Sequence, residues 1–158
     1  MGDPAVSDAA LVRRYNRTAV AAAERTVSIA LDVSLDALRA PTRRTAPVAF
    51  ARQVAMYLAH TVWGVSQADV AERVRRDRST VAHACRSIED RRDDPDLDRR
   101  LNAMEALLAE LRDALRLFAD HEGRPLPETR DRLGLPRDEP GVSRDGPGVS
   151  RDGRGGHR

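Results

Sequence analysis

The stretch RRDRSTVAHACRSIEDRR, residues 75–92, holds six arginines and no lysine around a short apolar stripe of Val81, Cys85 and Ile88. Read as a helix, the stripe leaves Ser79, Thr80, His83, Arg86 and Ser87 on the opposite face, because positions three, four and seven apart lie together. Such a face can donate hydrogen bonds to phosphates and base edges. Short hydroxyls near the helix start suit close contacts, and longer donors further along extend the reach. Cys85 and His83 make no nucleophile pair, since residues two apart on a helix point away from each other. Cys85 reads instead as core.

Nothing else in the chain assembles a reactive constellation. The four histidines, at 60, 83, 121 and 157, have no metal-type spacing, and there is one cysteine. A phosphate loop of the G-x-x-x-x-G-K-[ST] kind needs a lysine, and the chain has none. The expectation is therefore a non-enzyme with no cofactor, no metal and no nucleotide partner.

Formal net charge is only +2, but its distribution is uneven. Residues 39–92 carry eleven arginines against five acids, a local excess that suits a polyanionic partner. The exclusive use of arginine fits planar, bidentate donors, and it fits a GC-rich genome equally. One cysteine excludes an intramolecular disulfide, no apolar run reaches membrane-spanning length, and the N-terminus lacks a signal pattern. A cytoplasmic, nucleoid-associated protein without membrane contact is expected.

The elements that must position this face are all helical. Aromatic residues make up 3 % of the chain, and its apolar content is mostly Ala, Leu and Val, which favours an all-α small helical bundle. Residues 1–8 read as a flexible N-terminus. The periodicity predicts helices over about 9–31, a short one from Ser34 to Pro41, and another from Pro47 to Trp63 closed by Gly64. Ser66 caps QADVAERV, with Val70 and Val74 inward, and the turn RRDR leads into the helix capped by Asp77 or Ser79. Two helices joined by a short polar turn fit a helix-turn-helix or an ordinary helical hairpin with a solvated polar face; the arginines in the loop before the helix at 47–63 favour the first, so residues 9–95 are read as one DNA-binding domain.

Residues 96–120 read as an amphipathic heptad helix with Leu97, Leu101, Met104, Leu108, Leu111, Leu115 and Phe118 on one seam. That stripe either caps the small domain or joins a second copy as a homodimer through the Leu97–Phe118 helix. Leu107 and Leu117 widen it beyond a narrow seam, which favours capping. From residue 121 Pro, Gly, Arg and Asp dominate, with GVSRDGP at 141–147 nearly copied at 148–154. No core can be built from this composition, so 121–158 reads as a disordered tail.

ARQVAMYLA (51–59) and DRSTVAHACRSIE (77–89) together carry a family resemblance. The chain resembles, from about Ala22 to Arg92, the C-terminal DNA-binding domain of the bacterial replication initiator DnaA. That family reads close to A-R-Q-x-A-M-Y-L-A, then S-x-x-x-I-G, then G-R-D-H-[ST]-T-V-x-H-A-C-x-K-I. The resemblance implies a helix-turn-helix that binds double-stranded DNA. It implies minor-groove insertion for Arg44, with Arg43 beside it, and phosphate contacts for Arg52, Gln53, Thr80 and His83. It implies base reading for Asp77, Arg78 and Ser79.

Three departures stand out. The family's His after the Asp is Arg78, and an arginine in the major groove favours guanine by about 1–3 kcal/mol over a wrong base. The turn RVRRD is one residue short and lacks the family's glycine. The family's phosphate-contacting Lys on the long helix is His60. With residues 1–21 ahead of the match, the expectation is a stand-alone domain lacking the initiator's AAA+ domain. Its expected function is sequence-specific DNA binding that regulates replication initiation or transcription without ATPase activity. The alternative is a helical interaction or dimerisation adaptor that has lost DNA specificity.

Overall fold

Helix-start chemistry sets the first turns of the computed structural model, which describes residues 7–41 and 45–121. Ser7 Oγ accepts from the Ala10 N–H at 3.4 Å to open α1 (Asp8–Ala30). Ser34 does the same for α2 (Leu35–Arg39) through the Ala37 N–H at 3.2 Å. α3 (Ala46–Thr61) starts at Pro47, whose missing N–H costs nothing in a first turn. Ser66 Oγ accepts from the Asp69 N–H at 3.1 Å and donates to its carboxylate at 2.7 Å, opening α4 (Gln67–Val74). α5 (Arg78–Asp90) follows, and Asp94 Oδ1 accepts from the Asp96 N–H at 2.9 Å at the start of α6 (Pro95–His121). The described residues form six helices and no strand, an all-α bundle.

The long helix α3 is the axis of this bundle. It buries Ala51 and every residue from Val54 to Ala59 against α1, α2, α4 and α5. Six consecutive buried positions exceed one amphipathic face, as expected of a helix surrounded by neighbours. Trp63, just past its end, is fully buried; its carbonyl accepts from Tyr15 Oη at 2.9 Å, and the two rings sit 5.7 Å apart at 58°. The Trp63 indole N–H has no hydrogen-bond partner among the described residues.

The seam on α6 divides. Leu101, Met104 and Leu108 are buried in the same core as α1 and α3, and Leu97 and Leu115 pack partly against it. Leu107, Leu111, Leu117 and Phe118 are exposed. Five of the seven seam residues are thus used wholly or partly within the chain, so the seam is not left whole for a second copy. Two contacts reinforce the attachment: Arg112 donates to the Val62 carbonyl at 2.6 Å, and Arg92 reaches three side chains of α6. Of the stretch 1–8 read as flexible, Ser7 and Asp8 instead open α1, and His121, read as the first residue of the tail, ends α6; the rest of both readings, 1–6 and 122–158, lies outside the described residues.

Candidate nucleic-acid interface

α4 and α5 meet through a turn made without glycine. Arg75 itself takes the left-handed conformation at φ 54°, ψ 53°, where its N–H closes α4 onto the Ala71 and Glu72 carbonyls. The Arg76 N–H then bonds the Ala71 carbonyl at 2.9 Å. A side-chain-bearing residue pays for this backbone region because Cβ crowds the neighbouring carbonyl. The missing glycine is therefore absorbed as local strain, and the helix pair is kept.

On α5 the two faces separate cleanly. Val81, Ala84, Cys85 and Ile88 are buried, whereas Arg78, Ser79, Thr80, His83 and Arg86 are exposed. Ser87, expected on the outer face, is half-buried. Asp77 is the N-cap residue, and its carbonyl accepts from the Thr80 and Val81 N–H groups at 3.0 and 3.4 Å. Its carboxylate makes no capping hydrogen bond and stands exposed. No ion pair joins Asp77 to Arg78 among the described residues, so both side chains face solvent without an internal partner. Burial, with Glu89 adding to it, pushes the Cys85 thiol up to about 11, which keeps it protonated and inert at neutral pH.

Arg52 stands elsewhere than at a solvent-facing anion site. Its Nε donates to the Leu38 carbonyl at 2.8 Å, and its Nη2 donates to the Ala37 and Ala40 carbonyls, both at 2.7 Å. These carbonyls end α2, where intrahelical donors run out. The half-buried guanidinium therefore locks α2 onto α3. Arg76 joins from the turn, its Nη2 donating to Ala40 and Pro41 carbonyls at 3.3 and 3.1 Å. Together they fix the chain just ahead of the basic loop. Arg43 and Arg44 lie outside the described residues. Gln53 is half-buried on α3, and His60 is tied by Nδ1 to the Val65 carbonyl at 2.8 Å.

Three arginine roles carried no signal in the sequence: Arg76 at the loop, Arg91 and Arg92. The Arg91 guanidinium sits 4.5 Å from the Phe50 ring centroid, a cation–π contact that pins the end of α5 to α3. Arg92 donates to Tyr57 Oη, Glu105 Oε1 and Asp98 Oδ1, each at 2.7 Å, and also to Asn102 Oδ1. Glu105 above all holds this guanidinium in its charged form.

The arrangement presents an exposed polar helix, rigidly backed by an apolar core, beside a loop entrance clamped by two arginines. Residues 20–88 match the family described as bacterial dnaA protein helix-turn-helix. No curated protein and no solved structure matches the chain. The matched segment runs from within α1 through Ile88, the last apolar residue of α5, and takes in the motif at 51–59 and all but the last residue of that at 77–89. Residues 20–88 are thus a helix-turn-helix of the bacterial DnaA type, a DNA-binding domain.

Proposed function

We propose that the protein binds double-stranded DNA sequence-specifically, with α5 in the major groove, and that it regulates replication initiation or transcription at the nucleoid. The observation that supports this reading best is the outer face of α5. Arg78, Ser79, Thr80 and His83 are exposed together with Asp77, and none of them is consumed by a contact inside the fold. Donors kept idle on a rigid helix are what phosphate and base contacts require.

In this reading Thr80, His83 and Gln53 anchor phosphates, while Asp77, Arg78 and Ser79 meet base edges. Arg43 and Arg44 enter the minor groove from the loop. Arg52 serves the interface indirectly, by holding Ala37, Leu38 and Ala40 ahead of that loop.

The test is a salt titration of binding to random duplex, followed by selection from a random duplex pool. Affinity falling by about a hundredfold or more between 50 and 200 mM salt, with a defined motif selected, is the expected result. Salt-independent binding, or a pool that yields no motif, overturns it and favours the adaptor reading.

A further inference from the structure

A groove of about 480 Å³ opens between α1, α2, α3 and the α4–α5 turn. Its walls carry Arg17, Arg39, Arg52, Arg73, Arg75 and Arg76 against a single carboxylate, Glu24. That carboxylate is already neutralised, paired with Arg39 at 2.7 Å. Arg52 and Arg76 spend donors on backbone carbonyls. The remaining three differ: the side chains of Arg17 from α1, Arg73 from α4 and Arg75 from the turn make no hydrogen bond or ion pair among the described residues. Arg73 is also half-buried, so its charge has given up part of its water without gaining a partner.

The floor is of a different kind. Val20, Leu38, Ala55 and Met56 line it and are all buried within the core. Convergent guanidiniums over an apolar base suit a ligand with several anionic oxygens at one end and an uncharged face at the other. The volume falls in the range of small-molecule sites.

We infer that this groove binds a small polyphosphate anion through Arg17, Arg73 and Arg75. The chemistry is shared by inorganic tripolyphosphate and by the phosphate tail of a nucleoside triphosphate. It uses no phosphate loop, whose absence from the sequence concerns another way of holding the same group. The site is separate from the outer face of α5 and stands whether or not that face reads DNA.

The test uses the full chain labelled with ¹³C at its methionine methyls. Met56 lines the groove, and Met104, buried between α6 and the core, is the internal control. Titration with tripolyphosphate, and separately with ATP, should move the Met56 methyl saturably and leave Met104 in place. Tighter binding of ATP assigns the nucleotide as the source, and tighter binding of tripolyphosphate assigns the inorganic anion. Arg17→Ser and Arg73→Ser should each weaken binding at least about tenfold, as loss of a charge-assisted hydrogen bond does. Arg25→Ser, an exposed change on the same helix away from the groove, should leave affinity unchanged. Equal weakening by Arg25→Ser would reduce the effect to bulk charge and overturn the site. So would a stationary Met56 methyl, or one that moves with random duplex and with neither small anion.

Discussion

Arg92, two residues beyond α5, donates to Tyr57 Oη of α3 at 2.7 Å and to Glu105 of α6 at 2.7 Å. One guanidinium thereby joins the end of α5 to the central helix and to a helix outside the segment matched by the family. Asp98, beside it, is held below its usual carboxylate range by Arg92. The side chain keeps a quarter of its surface in water, which tempers each ion pair but not the fork geometry.

Arg92→Ala should therefore cost about 2 kcal/mol in urea unfolding, since several partners lose a charged donor together. Arg92→Lys should recover only part of that, because an ammonium cannot span Tyr57, Asp98 and Glu105 at once. A loss within error of zero for the alanine variant would show the network to be ornamental.

At the α4–α5 turn the expected change runs the other way. Arg75→Gly removes the Cβ from a left-handed position and should stabilise the protein by about 0.5–1 kcal/mol. The gain is smaller than the strain relieved, since glycine also loosens the unfolded chain. An unchanged or lowered melting temperature would mean that Arg75 is held there by a favourable contact.

Cys85 makes stability depend on alkaline pH. In the unfolded chain the thiol loses its proton near its ordinary value of 9.0, whereas in the fold it holds it to about 11. Between these values the unfolded state binds fewer protons, so stability falls as pH rises through the window, by about 2 kcal/mol at its upper end. Tyr57, also pushed up by burial, adds a loss of the same sign above its ordinary 10.0. Denaturation at stepped pH should show the fall, and Cys85→Ala should flatten its first part. A flat wild-type profile from pH 9 to 10 would contradict it.

If α5 reads DNA as proposed, Arg78 should decide the choice of site. It stands exposed at the first position of α5, unpaired with Asp77. Paired donors there fit guanine O6 and N7, so the selected motif should carry a G·C pair at that point. Arg78→His should shift preference at this one position by about 1–3 kcal/mol and leave random-duplex affinity nearly unchanged. Uniform weakening on every duplex, with no change of motif, would assign Arg78 to a phosphate.

What could be read from the sequence was what repeats. The stripe of Val81, Cys85 and Ile88, the serines at 34 and 66 and the seam on α6 all follow local periodicity or capping. The helix boundaries accordingly fall within two residues of their expected places. The roles of Arg52, Arg76 and Arg92 were not legible, because each depends on partners 6 to 36 residues away, most of them brought close only by the packing. A lone arginine looks the same in sequence whether it meets a phosphate, a helix-ending carbonyl or a tyrosine. The fate of the α6 seam was open for a related reason: heptad spacing marks an apolar face without naming the surface that covers it.

Trp63, the chain's single tryptophan, is sealed in the core with its indole N–H unpartnered. The protein therefore carries its own optical reporter. An indole in apolar surroundings emits toward the blue, and solvation on unfolding moves that emission to the red. The outer face of α5 is exposed and the ring is fully buried, so complex formation on that face should leave the emission colour alone. One unlabelled sample can then rank the stability of every variant, and a colour change on adding DNA would signal that binding reaches through α3 into the centre of the bundle.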